Sequence, residues 1–269
     1  MVKRKQNNNL KEYNEMLDVD GLFDVKRDKE IISELLPNDI KVLAKNESQK
    51  NLIKSIKNNE ITICAGPAGC GKTYVALAYA MSLIRKPSNR YRKIYLVKSV
   101  TTLRNEEIGF LKGGLEEKIN PFMWSYFINI EKLILKTTLS SLIDHNIIVP
   151  FPLAYMRGAS LDDCIIIIDE AQNISLDNIR TAMTRIGSNS KMLILGDTNQ
   201  IDMKNKDESS LNILLELFND VESMGVVVMD ENDTNVRNPI INQIENKFKT
   251  YYNEFVLKNV YTSQKLNGE

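Results

Sequence analysis

The sequence predicts an α/β protein: one mainly parallel sheet with helices on both faces and a helical insertion. Three observations predict it. Short apolar runs at 61–65, 94–97, 165–168, 192–195 and 226–229 alternate with helix-like runs. The run 165–168 is four consecutive isoleucines, Ile165 to Ile168, without polar alternation, as a strand buried on both faces requires. The run 61–65 leads straight into a glycine-rich turn that opens a helix.

The elements follow in order. Residues 1–20 are rich in Lys, Asn and acidic side chains with little periodicity, and read as a mobile leader ahead of one domain at 21–250. An amphipathic helix is expected at 47–57, with Leu52, Ile53 and Ile56 on one side. Gln49 on that helix precedes Gly66 by seventeen positions. Its amide pairs a donor with an acceptor and suits an adenine edge, or it is an ordinary exposed glutamine.

Gly66-Pro67-Ala68-Gly69-Cys70-Gly71-Lys72-Thr73 fits G-x-x-x-x-G-K-[ST] at every fixed position. Its glycines let backbone N–H groups turn toward phosphates, and the helix at 72–84 adds the positive end of its dipole. Lys72 is expected to reach the β- and γ-phosphates, and Thr73 to hold Mg²⁺. The nucleotide-binding run extends to Tyr74.

After the strand at 94–97 the rhythm breaks. Residues 99–160 contain Gly109, Gly113, Gly114 and Pro121, then apolar helical segments. They read as an insertion packed against the sheet edge, with Trp124, Tyr126 and Phe127 as core rather than as a stacking platform for bases.

The isoleucine strand ends in Asp169-Glu170-Ala171-Gln172. Ligands of open α/β sheets bind at the carboxyl ends of strands, so these carboxylates are expected beside the glycine-rich turn. Asp169 is assigned to Mg²⁺ and Glu170 to the attacking water. A helix is expected at 176–186. The strand at 192–195 then runs into Gly196-Asp197-Thr198-Asn199-Gln200-Ile201-Asp202. Gln200 can donate to a γ-phosphate or to the attacking water, as a sensor of nucleotide state would. This strand is expected to lie between the strands of the glycine-rich turn and of Asp169. A helix at 211–218 and the strand at 226–229 follow, then Arg237. Arg237 either reaches a γ-phosphate in its own or a neighbouring subunit, or makes a surface salt bridge. Residues 251–269 read as a loose tail.

Composition sets the bounds. The chain has 269 residues, 43% of them apolar, enough for one sizeable core. Acidic and basic residues balance at 35 each, so no global field favours nucleic acid. Cys64, Cys70 and Cys164 give no disulfide framework, and His145, the single histidine, has no metal-ligand partner at a suitable spacing. No apolar run reaches transmembrane length and the polar start resembles no signal peptide. A cytoplasmic protein without a membrane partner is therefore expected.

Together these motifs resemble the PhoH family of P-loop ATPases. The resemblance runs through the 66–73 turn, where members commonly carry Thr in place of Cys70. It continues through Gly109-Phe110-Leu111, Leu115-Glu116-Glu117-Lys118-Ile119-Asn120-Pro121 and Pro152-Leu153-Ala154-Tyr155-Met156-Arg157-Gly158. It then takes in Asp169 to Gln172, Thr184-Arg185-Ile186-Gly187, Gly196 to Asp202 and Val236-Arg237-Asn238-Pro239. One departure follows the strand at 94–97: many members carry Arg-Pro, and this chain has Lys98-Ser99. The resemblance implies a RecA-like domain similar to the first domain of superfamily 1 helicases, with Mg²⁺-ATP as substrate. It also implies a role with RNA or single-stranded DNA, and a homo-oligomer, up to a hexameric ring. Lys72, Glu170, Gln200 and Arg237 would carry hydrolysis. The other reading of the same residues is a nucleotide-dependent assembly switch with little turnover. GTPases read guanine with Asn-Lys-x-Asp, which does not occur here.

Overall fold

The computed structural model of the chain describes residues 25–98, 115–203, 209–229 and part of 240–251. The expected leader, the 99–114 part of the expected insertion, Arg237 and residues 252–269 lie outside that set.

Six strands form one sheet: β1 (Ile61–Ala65), β2 (Lys93–Lys98), β3 (Ile148–Pro152), β4 (Cys164–Asp169), β5 (Lys191–Gly196) and β6 (Met224–Val228). Their order is β3-β2-β4-β5-β1-β6, and every pairing is parallel. Strand β5 lies between β1 and β4, as expected from sequence. The α-helices that accompany them are α1 (Val25–Leu35), α2 (Glu47–Asn58), α3 (Lys72–Arg85), α4 (Leu115–Ile130), α5 (Lys136–Asp144), α6 (Leu176–Met183) and α7 (Ser210–Leu217), and the described residues of 240–251 are helical too.

The isoleucine run shows why the sheet is covered twice. Successive strand residues point to opposite faces. Ile165 and Ile167 enter one core with Leu52 of α2, Leu77 and Met81 of α3 and Tyr126 of α4. Ile166 and Ile168 enter the other with Ile179 of α6 and Leu211 and Leu214 of α7. All four isoleucines are fully buried, each worth about 1.5–3 kcal/mol of transfer free energy.

Several elements differ from the expectation. Residues 148–152 are a strand inside the expected insertion, although Pro150 and Pro152 lie within it. Proline is tolerated here because, among the described residues, β3 is an edge strand paired only with β2. Helix α1 has no counterpart in the sequence reading. It is held by a buried ion pair, with Arg92 Nη1 3.0 Å from Asp28 Oδ2, and by Lys29 Nζ, which donates to the carbonyls of Ile84 and Tyr91. Helix α6 stops at Met183, and Ile186 instead bridges Leu161. Of the three insertion aromatics, Tyr126 and Phe127 are core, whereas Trp124 is 56% exposed.

The three cysteines are free and buried. Burial pushes the thiols of Cys64 and Cys164 up to about 12. His145 is exposed just past α5. No helix among the described residues is long and apolar enough to cross a membrane.

Candidate nucleotide site

Because all strands are parallel, their carboxyl ends share one edge of the sheet, and the candidate residues collect there. The turn after β1 is fixed first. The Gly66 N–H donates to the Gly196 carbonyl at 3.1 Å, tying the turn to the end of β5. Gly69 and Gly71 have φ of 78° and 90°, the left-handed region that glycine enters without a Cβ penalty. Helix α3 starts at Lys72 with no side chain capping its first turn, which leaves N–H groups aimed at the turn. Lys72 is buried, and its Nζ donates to the carbonyls of Gly66 (2.6 Å) and Pro67 (3.0 Å) and lies 3.6 Å from Cys70 Sγ. Its ammonium thus lies folded across the turn. A cleft of about 280 Å³ opens over Gly69 and Gly71 to Tyr74, and Leu43, Lys45, Gln49, Asn129 and Lys132 complete its lining.

The carboxylates are joined to this turn by one hydrogen bond. Thr73 Oγ1 donates to Asp169 Oδ2 at 2.9 Å. Burial, and then the Glu170 charge beside it, raise the Asp169 carboxyl above its ordinary range, with Lys98 and the Thr73 bond opposing. Two hard oxygen donors in contact, one of them a buried carboxylate next to another carboxylate, fit a divalent cation such as Mg²⁺. Glu170 has φ 58° and ψ 39°, a left-handed backbone that costs a non-glycine residue about 1–3 kcal/mol and is common at working sites.

The carboxylate of Glu170 is held on both sides. Gln172 Nε2 donates to its Oε2 at 2.7 Å, and Lys98 Nζ lies 3.9 Å from its Oε1. Gln172 is fully buried, and its Oε1 accepts the N–H of Asp197 at 2.9 Å. A Cβ at Gly196 would come within 2.6 Å of that Oε1, so glycine is required there. The loop after β5 is further ordered by Asp197 Oδ1, which accepts the Asn199 N–H, and by Asn173 Oδ1, which accepts that of Asp202.

The chain matches the family model for PhoH-like proteins over residues 41–249. It belongs to the PhoH-like family. Among curated relatives, a PhoH-like protein of Synechocystis is 33% identical over 203 residues, covering 76% of this chain and 61% of the relative. A PhoH-like protein of Bacillus subtilis is 32% identical over 222 residues, covering 82% and 68%. Protein PhoH of Escherichia coli K12 is 31% identical over 201 residues, covering 71% and 54%. The chain thus spans about half to two thirds of the length of these relatives. Among solved structures, the large terminase of a thermophilic bacteriophage aligns with a TM-score of 0.44 at 10% identity, over 77% of this chain and 50% of that one. A SWI2/SNF2 ATPase core from Sulfolobus solfataricus in complex with dsDNA aligns with a TM-score of 0.39 at 14% identity, over 67% and 38%.

In this PhoH-like chain the structure brings together Gly66 to Tyr74, Asp169, Glu170 and Gln49. Gln49 is buried and engaged at both ends of its amide. Oε1 accepts the Lys45 N–H and Nε2 donates to the Cys70 carbonyl, both at 2.8 Å, so it braces the turn from the side of α2. Gln200 is exposed, its backbone N–H donating to the Asp197 carbonyl at 3.2 Å. Sequence reasoning gave no role to Gln172, and it read Lys98 as a departure from the Arg-Pro pattern at the start of a loop, not as a strand-end residue beside Glu170. It read Tyr126 as core but missed the role of its buried hydroxyl, which donates to the carbonyls of Val97 (2.8 Å) and Ile167 (3.1 Å). The available signal for Lys98 was its place at the carboxyl end of a central strand.

Proposed function

We propose that this PhoH-like chain binds Mg²⁺-ATP and hydrolyses it to ADP and phosphate. The observation that carries the reading is the Thr73–Asp169 hydrogen bond, which joins the phosphate turn to the carboxylate strand and sets Glu170 beside it. Lys72 would exchange the Gly66 and Pro67 carbonyls for β- and γ-phosphate oxygens. Thr73 and Asp169 would hold Mg²⁺, which supplies charge neutralisation across those oxygens when bound. Glu170 orients a water for in-line attack at the γ-phosphorus and takes its proton as the bond to the β-phosphate oxygen breaks. Gln200 reads the γ-phosphate from the loop after β5, and Arg237 completes the charge at that phosphate.

The reading extends to coupling with RNA or another single strand. Its support is the likeness of Asp169 to Gln172 and of Gly196 to Gln200 to superfamily 1 helicase motifs. A homo-oligomer, up to a hexameric ring, and a cytoplasmic setting belong to the same reading, and three free buried cysteines fit a reducing compartment.

Phosphate release with Mg²⁺-ATP, with and without mixed single-stranded RNA, tests it. Glu170→Gln is expected to retain ATP binding and lose turnover by about 10²–10⁴-fold. Normal turnover in that variant overturns the assignment. Turnover indifferent to RNA removes the nucleic-acid part, and a mass change on ATP binding with negligible release selects the assembly switch.

A further inference from the structure

We propose that Lys98 is a positioning residue for Glu170, and that helix α4 of the insertion sets it through Ser125. The inference rests on the reading of Glu170 as the group that orients the attacking water. Strand register fixes the lysine's place: Lys98 of β2 is the direct partner of Asp169 in β4, so its side chain leaves the sheet edge beside the two carboxylates. The Lys98 side chain is only 18% exposed, and its ammonium has two oxygens nearby: Ser125 Oγ at 3.1 Å and Glu170 Oε1 at 3.9 Å.

The need for a cation there is electrostatic. Asp169 is buried and Glu170 adjoins it, so like charges push the more exposed carboxylate, Glu170 at 40%, outward to solvent. Gln172 restrains one oxygen of Glu170 with a neutral amide, and Lys98 faces the other with a charge. Two restraints on different oxygens fix both the position and the rotation of the carboxylate.

Ser125 makes this a property of the insertion. It precedes Tyr126, whose hydroxyl clamps the ends of β2 and β4 one residue before Lys98 and two before Asp169. Farther along the same helix, Asn129 lines the nucleotide cleft. Helix α4 therefore touches the cleft, the strand ends and the cation that holds Glu170.

Steady-state hydrolysis and binding of a fluorescent ATP analogue test the inference in Lys98→Met, Lys98→Arg, Ser125→Ala, Glu170→Gln and the Lys98→Met/Glu170→Gln double variant. Methionine keeps the apolar stem and removes the charge. The expected result is a fall in kcat of about 10–100-fold in Lys98→Met with analogue affinity and KM within about twofold. Lys98→Arg is expected to recover most of the loss, and Lys98→Met to add nothing in the Glu170→Gln background. Ser125→Ala, which leaves the lysine in place, reads the tether alone and should lower kcat a few-fold. Wild-type kcat in Lys98→Met, a loss expressed in KM, full additivity in the double variant, or no change in Ser125→Ala overturns the inference while Glu170→Gln remains inactive. A normally active Glu170→Gln overturns the hydrolytic reading itself, and the inference with it.

Discussion

Gly66 is fixed as much by its protein neighbours as by the phosphate it would meet. A Cβ there would lie 2.8 Å from the Cβ of Met229 and 3.2 Å from Cys70 Sγ. Gly66→Ala should therefore lower stability by about 1–3 kcal/mol in a denaturant melt and, by shifting the turn, weaken the ATP binding proposed above. The turn, Asp169 and Glu170 were legible in the sequence because each rests on local spacing along the chain. Lys98 opposite Glu170 was not, because only strand register brings them together. Gln49 was half legible: the sequence offered an adenine reader or an ordinary exposed glutamine, and the structure rules out the second, burying the side chain and bonding it to the Cys70 carbonyl.

Among the elements, β4 carries the most information per residue. Its four isoleucines alternate between two cores, so one strand joins both layers. Ile166→Ala and Ile167→Ala should each cost about 2–5 kcal/mol, read from urea midpoints. Acting on opposite faces, they should be nearly additive in the double variant. The central strands were readable because burial on both faces removes polar alternation. Strand β3 was not, since its prolines argue against a strand unless its edge position is already known. Helix α1 escaped for a related reason: its anchors, Asp28 and Lys29, are polar and find their partners on distant segments.

For the whole molecule, parallel topology turns scattered motifs into one site. The carboxyl ends of β1, β2, β4 and β5 supply the glycine-rich turn, Lys98, the carboxylates and the Asp197 loop, and the placing of β5 between β1 and β4 was expected from the fold class, not from the order of the strands along the chain. Stability should show the same burial at alkaline pH. The thiols of Cys64 and Cys164 are raised from about 9 in an open chain to about 12 in the fold. The folded form thus keeps its protons where the unfolded chain loses them. The stabilisation is complete below pH 9 and is lost progressively up to about pH 12. Unfolding free energies measured from pH 8 to 11 should fall less steeply in Cys164→Ala than in the wild type, by on the order of 1 kcal/mol per pH unit above 9.

The prolines of β3 have an effect beyond their own strand. The Ile94 N–H donates to the Ile147 carbonyl, so positions 148, 150 and 152 turn their backbone groups away from β2. Pro150 and Pro152 thus remove two of the three N–H donors along the open margin of the sheet. That margin offers mainly acceptors, and an incoming strand would find too few donors to zip against it. Among the described residues, β3 therefore offers a second copy of this chain little to extend the sheet with.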